Sequence, residues 1–203
     1  MTLRRAMLLV LAASLTAALV GSASANVDLE WRPSQATIGV GESLFVDLYA
    51  VADNPTGHLI SAIDAIILWD PSYLDFWGLV GDPQPYWMVD GFLDAPGGIN
   101  DDPYFDGDAM YTAWANFGED VLVTQDGLLC ATFEWRGLQI TDLTEVTIPA
   151  LCGQAATAVY DGTSGNNDIK GELGGIEVTI VPEPCASLVF SFGLLPLLRR
   201  RSR

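Results

Sequence analysis

Through much of this chain apolar and polar residues alternate with a period of two. Leu44, Val46, Leu48 and Ala50 share one parity against Phe45, Asp47 and Tyr49; Val146 and Ile148 flank Thr147; Ile176, Val178 and Ile180 alternate with Glu177 and Thr179. In an extended chain successive side chains point to opposite faces, so each such segment can bury one face and leave the other in water. Further extended segments are expected at 27–32, 36–40, 60–69, 74–79, 86–93, 109–117, 128–136 and 155–160, separated by Gly, Pro, Asp and Asn clusters with turn chemistry. No long stretch carries the 3.6-residue stripe of an amphipathic helix. Short strands with one apolar face each must hide those faces against one another. The expectation is therefore an all-β chain, a jelly-roll β-sandwich of about nine strands.

The two ends follow other rules. Arg4 and Arg5 precede an apolar stretch over 6–20, and the small residues 21–25 place Ala23 and Ala25 in an Ala-x-Ala pattern before Asn26. This is the layout of a secretory signal peptide, 1–25, cleaved before Asn26, and the stretch is short for a membrane span. At the other end Pro182, Glu183 and Pro184 lead into an apolar run over 185–198, followed by Arg199, Arg200, Arg201, Ser202 and Arg203. As a helix this run of 14 residues would reach about 21 Å, against a hydrocarbon core of about 30 Å. Gly193 and Pro196 weaken it further, and the arginines favour the cytoplasmic side. The order of Pro-Glu-Pro, short hydrophobic helix and arginine cluster over 182–203 resembles the PEP-CTERM sorting signal of exported proteins in Gram-negative bacteria that make extracellular polysaccharide. That resemblance implies transient inner-membrane insertion, then processing by an exosortase near Pro182, Glu183 and Pro184. The implied destination is the cell envelope, the cell surface or the extracellular matrix.

Once the ends are set aside, the charge balance of the body changes. Of nine basic residues only Arg32, Arg136 and Lys170 lie within 26–181, whereas 25 of the 26 acids do, a formal charge of −22. Nucleic acid and anionic lipid are poor partners for such a surface; solubility, divalent cations or a basic partner suit it. A body of this length supports one domain with its own core. Cys130 and Cys152 would meet an oxidising compartment, either as a disulfide contributing about 3 kcal/mol or as two buried free thiols.

Three motifs stand in a fixed order along the body: Val40-Gly41-Glu42 opening the segment 43–51, Leu68-Trp69-Asp70-Pro71-Ser72-Tyr73-Leu74, and Gln125-Asp126-Gly127-Leu128-Leu129 running to Phe133. Order and spacing resemble a cohesin-type module over nearly all of 27–181, with 81–108 longer than the family norm. The resemblance implies a cohesin-like, carbohydrate-binding-type sandwich that binds and does not catalyse. Its partner would be an extracellular protein or polysaccharide.

Candidate chemistry in the body is sparse. Asp101, Asp102, Asp106 and Asp108 crowd one loop and read either as oxygen ligands for Ca²⁺ or as a solvated acidic turn. Acids also stand at the first and twelfth positions of 161–172, but Thr163, Gly165 and Asn166 break the EF-hand pattern. Among Trp77, Tyr86, Trp87, Phe92, Tyr104, Tyr111 and Trp114, most are expected in the core. Tyr86 and Trp87, in a Pro-rich loop, are the candidates for stacking on a sugar ring. His58 is the sole histidine and no Gly-x-Ser-x-Gly elbow occurs, so a non-enzymatic binding role is expected. A Ca²⁺-dependent lectin or a glycan-processing enzyme on the same scaffold is the alternative.

Overall fold

The cleanly alternating segment 43–52 forms a ten-residue strand, whereas the longest strand, His58–Trp69, buries apolar residues on both faces. The computed structural model describes residues 26–163 and 165–183. The signal peptide with Ala23 and Ala25, the expected C-terminal helix, Pro184, Arg199, Arg200 and Arg201 lie outside the described residues. In chain order the strands are β1 (Val27–Pro33), β2 (Thr37–Gly39), β3 (Ser43–Ala52), β4 (His58–Trp69), β5 (Leu74–Val80), β6 (Trp87–Gly91), β7 (Asp108–Ala115), β8 (Val121–Val123), β9 (Leu128–Gly137), β10 (Thr141–Thr147), β11 (Leu151–Cys152), β12 (Ala155–Ala156), β13 (Ala158–Asp161), β14 (Lys170–Leu173) and β15 (Gly175–Val181). Six of them, β2, β8, β11, β12, β13 and β14, are two to four residues long, which leaves the expected nine of five or more. The short ones are edge and loop pairings, too brief to show a periodicity.

Two sheets make the sandwich. One runs β14-β1-β3-β9-β5; the other runs β2-β15-β10-β4-β7-β6, with β8 and β13 added along β4. Pairing is antiparallel except for β1 with β14 and β2 with β15. The chain crosses between the sheets many times, including between β1 and β2 and between β14 and β15, so both terminal regions tie the sheets together. Between β14 and β15 the Gly174 N–H donates to the Leu29 carbonyl at 2.8 Å, and a Cβ there would stand 2.9 Å from that same oxygen. Only glycine allows this approach. The Asp126-Gly127 turn into β9 likewise has Gly127 at φ +90°, a left-handed conformation that strains other residues.

The inward parity of each strand fills the space between the sheets. Leu44, Val46, Leu48 and Ala50 of β3 are fully buried, as are Ile63, Ala65 and Ile67 of β4 and Val178 and Ile180 of β15. At the centre sits an aromatic cluster: the Trp135 ring lies 5.0 Å from Phe76, 5.8 Å from Phe133, 6.1 Å from Trp31 and 6.3 Å from Trp69. Edge-to-face pairs such as Trp31–Phe133, at 5.3 Å and 86°, match the ring quadrupoles. The long 81–108 segment contributes Phe92 and Tyr104, which pack on Phe76 at 5.5 and 5.7 Å.

Truncating the central ring should therefore be the severest single change in the molecule. Trp135→Ala is expected to destabilise by about 3–5 kcal/mol in urea unfolding, whereas Leu143→Ala, on the exposed side of β10, should stay within about 0.5 kcal/mol.

Candidate functional site

On the second sheet, the face turned away from the sandwich core is divided in two. Ile63, Ala65 and Ile67 of β4 and Ala109, Tyr111 and Ala113 of β7 belong to the core, so the alternate residues face outward. In register these outward pairs are Leu68 with Asp108, Ile66 with Met110, Asp64 with Thr112, and Ala62 with Trp114. The first two pairs are covered and the last is open.

The cover is a second small core. Ile66 and Met110 pack with Ile99 from the 81–108 segment and Ala155 from β12, flanked by Leu68, Ala95 and Cys152. Two polar side chains fasten it. Asn100 donates from Nδ2 to the Leu93 carbonyl at 2.5 Å and the Met110 carbonyl at 2.9 Å, and its Oδ1 accepts the Met110 N–H at 2.7 Å. The Thr157 hydroxyl, fully buried, donates to the Pro149 carbonyl at 2.6 Å and accepts the Ile66 N–H at 3.1 Å. Ile66 stands in the gap between the β4 residues paired to β13 and those paired to β10. Thr157 thus supplies the hydrogen bond that the interrupted ladder leaves out.

Beyond Asp64 and Thr112 the face lies open. Trp114 is 45% exposed and Phe117 93% exposed. With Met88, Ser61, Ala62 and Asp120 they line a cleft of about 330 Å³. An exposed tryptophan beside an exposed phenylalanine and methionine is the composition of a recognition surface, since large rigid apolar groups bind without much loss of side-chain entropy. The acid at its rim, Asp120, adds a charge of one sign. At the boundary between cover and cleft the Thr112 hydroxyl donates to Asp64 Oδ1 at 2.8 Å. Burial raises the Asp64 carboxyl above the ordinary range, and this hydrogen bond only partly offsets it.

The residues singled out from sequence fall elsewhere. Trp87 is 6% exposed, with its Nε1 donating to the Cys130 carbonyl at 3.1 Å. Tyr86 is half-buried, its hydroxyl donates to the Leu129 carbonyl, and burial pushes its pKa up to about 12. The Trp87 ring is closed off from solvent, and the Tyr86 ring is partly so. The Pro-rich loop folds inward because Trp87 begins β6, whose first residue has inward parity opposite Ala115. Tyr111 is core, whereas Trp77 and Trp114 are exposed on opposite sheets. Met88 and Phe117 escaped sequence reasoning: Met88 sits in a β6 irregularity that disturbs the alternation, and Phe117 lies in a turn. The Asn116-Phe117-Gly118 turn, with an aromatic where polar residues are usual, was the available signal.

The acidic loop is not drawn into one ligand set: among the described residues no three His, Cys, Asp or Glu side chains converge as a metal-holding group. Asp101 lies against Gly98, the Asp102 carbonyl accepts the Phe105 N–H, and Asp106 Oδ1 accepts the Asp108 N–H at 3.3 Å. Asp108 is desolvated at the start of β7, which together with Asp106 raises its carboxyl pKa. In 161–172 the Asp161 carboxylate is taken up by Asn167 and Thr163, which hold its pKa low. Cys130 and Cys152 are both free. Cys130 faces the main core and Cys152 packs in the small core beyond the second sheet, so a layer of strands separates them. Burial pushes the Cys130 thiol up to about 12.

Because the folded Asp64 carboxyl has a raised pKa, the native state binds its proton more tightly than the unfolded chain does. Its contribution is full below the ordinary aspartate value of 3.8 and is lost as pH rises through the higher folded value. Asp64→Asn, which keeps the acceptor for Thr112, should remove that loss. The variant is expected to gain stability relative to wild type as pH rises from about 4 to 7 in parallel urea titrations. A constant difference across that range would contradict the assignment.

Comparison with protein-family models and with curated proteins finds no match. Solved structures do match in shape. A chain of a type I cohesin–dockerin complex from Clostridium thermocellum aligns with TM-score 0.54 at 11% identity, over 77% of this chain and 99% of that one. The seventh ScaB type I cohesin from Pseudobacteroides cellulosolvens aligns with TM-score 0.54 at 9% identity, over 79% and 96%. The cohesin module of a family 33 glycoside hydrolase from Clostridium perfringens aligns with TM-score 0.51 at 11% identity, over 78% and 100%. At such identities the likeness is one of fold: residues 26–183 form a cohesin-like β-sandwich.

Proposed function

We propose that this chain is an exported, non-enzymatic surface or extracellular-matrix protein whose cohesin-like sandwich holds a protein partner in the cleft formed by Met88, Trp114 and Phe117. The observation that carries this reading is the exposure of Met88 and Trp114 on the sheet and of Phe117 in the turn that follows β7, beside a half of the same face that is sealed by its own small core. Proteins in water do not ordinarily leave a tryptophan, a phenylalanine and a methionine together at the surface without a use for them. The acidic body favours a partner that brings basic groups to the rim. Proteins of the same shape support the class of role, since one of the matching chains belongs to a cohesin–dockerin complex. Export rests on the sequence: a signal peptide ending at Ala25, and a terminal label beginning at Pro182, Glu183 and Pro184 on which an exosortase would act.

Two measurements test the proposal. The partner captured from the producing organism by the wild-type protein should be lost, by about tenfold or more in affinity, with Trp114→Ala and with Phe117→Ala, at unchanged melting temperature; undiminished binding by both variants would overturn the cleft as the site. Mass spectrometry of the mature protein should find a chain beginning at Asn26 and ending near Pro184. A C-terminus at Arg203 in cells that carry an exosortase would refute the processing. Polysaccharide hydrolysis abolished by one Asp or Glu substitution would refute the non-enzymatic role.

A further inference from the structure

The outward face of the other sheet, β14-β1-β3-β9-β5, has a different chemistry from the cleft. Along one row across the strands Gly78 pairs with Glu134, and Glu134 pairs with Phe45. Trp77 stands beside Gly78 at a register shift in β5 and is 50% exposed; Phe45 is 40% exposed. With strands about 4.8 Å apart, the ends of this row are about 10 Å from each other. A carboxylate therefore lies between two exposed aromatic rings.

The groups of this face are held in place before any ligand arrives. Trp77 Nε1 donates to Asp75 at 2.7 Å, and the Arg136 guanidinium lies 3.7 Å from the Trp77 ring centroid. Ser43 donates to Glu134 at 2.5 Å, and Thr132 donates to Asp47 at 2.6 Å in the next row. Each of these carboxylates uses one protein donor and keeps acceptor capacity for more. Both arginines of the face are already engaged, Arg136 on Trp77 and Arg32 on Glu30 and the Tyr49 ring. A ring contact leaves the Arg136 charge in place, so the face sets Glu30, Asp47, Asp75 and Glu134 against Arg32 and Arg136, an excess of acid.

We propose that this face binds a cationic polysaccharide, an amino-sugar chain with free amino groups. Pyranose rings present an apolar face to Trp77 and Phe45, and the ammonium and hydroxyl groups between them meet Glu134, Asp75 and Asp47. Charge complementarity selects the amino sugar over neutral and acidic chains. A peptide suits the face less well, because β3 and β9, which carry Phe45, Asp47 and Glu134, have their backbone groups paired on both sides within the sheet. The site is on the sheet opposite the cleft, so the two are independent.

Calorimetry with the full-length protein at about 0.15 M salt, where long-range attraction is screened, tests this directly. A glucosamine hexamer should bind, the N-acetylated hexamer at least tenfold more weakly. Trp77→Ala and the near-isosteric Glu134→Gln should each reduce affinity by about tenfold, while Leu143→Ala, exposed on the other sheet, leaves it unchanged. A hexalysine peptide that bound as well as the sugar and ignored Trp77→Ala would show general attraction to an acidic protein and would overturn the site. So would no binding of the hexamer, or equal binding by Trp77→Ala and Glu134→Gln proteins of native melting temperature.

Discussion

The stacking of aromatic rings around Trp135 is the contact on which the rest of the molecule depends. Trp31, Phe133 and Trp135 come from the first sheet, Trp69 from the second, and Phe76 from the first sheet's edge strand. They meet where neither sheet alone could remove them from water, so the cluster holds the two layers in one relative position. Both outward faces derive their rigidity from that apposition. The cleft on one sheet and the ring-and-carboxylate row on the other are precise because the strands beneath them cannot slide.

A second principle shapes the sheet that carries the cleft. A sheet with apolar residues on both faces needs two covers, and Ile66 and Met110 receive theirs from the long segment before β7 and the short hairpin β11–β12. Those segments are fixed by polar bonds as well as packing: Asn100 and Thr157 take up backbone groups that the interrupted ladder leaves free. The cover ends at Asp64 and Thr112. Where it ends, Trp114 is left in the open, so its exposure results from a boundary in the fold's own packing.

Charge is distributed with the same economy. All three cations of the body sit beside their own acid or ring, with Lys170 on Asp168, Arg32 on Glu30 and Tyr49, and Arg136 on Trp77. None lines the cleft. The remaining acids repel one another and keep the surface soluble, while directing it toward basic or cationic partners.

Much of this was legible in the residues. Alternation in β3, around Val146 at the end of β10 and in β15 indicated which side chains turn inward, the Asp126-Gly127 turn marked the start of β9, and the ordered motifs at Val40, Leu68 and Gln125 indicated the sandwich. Period two is a local property, and strand existence and parity follow from it. The site was not legible in the same way. Tyr86 and Trp87 looked exposed because a Pro-rich loop usually is, yet the pairing of Trp87 with Ala115 carries the ring into the core. Cys130 and Cys152 looked equally able to meet, yet a sheet stands between them. Local sequence thus determined the strands, their buried faces and the excess of acid. Only the tertiary structure decided which outward rings remain uncovered, because exposure depends on whether a distant segment, such as the one carrying Ile99, comes to lie over them.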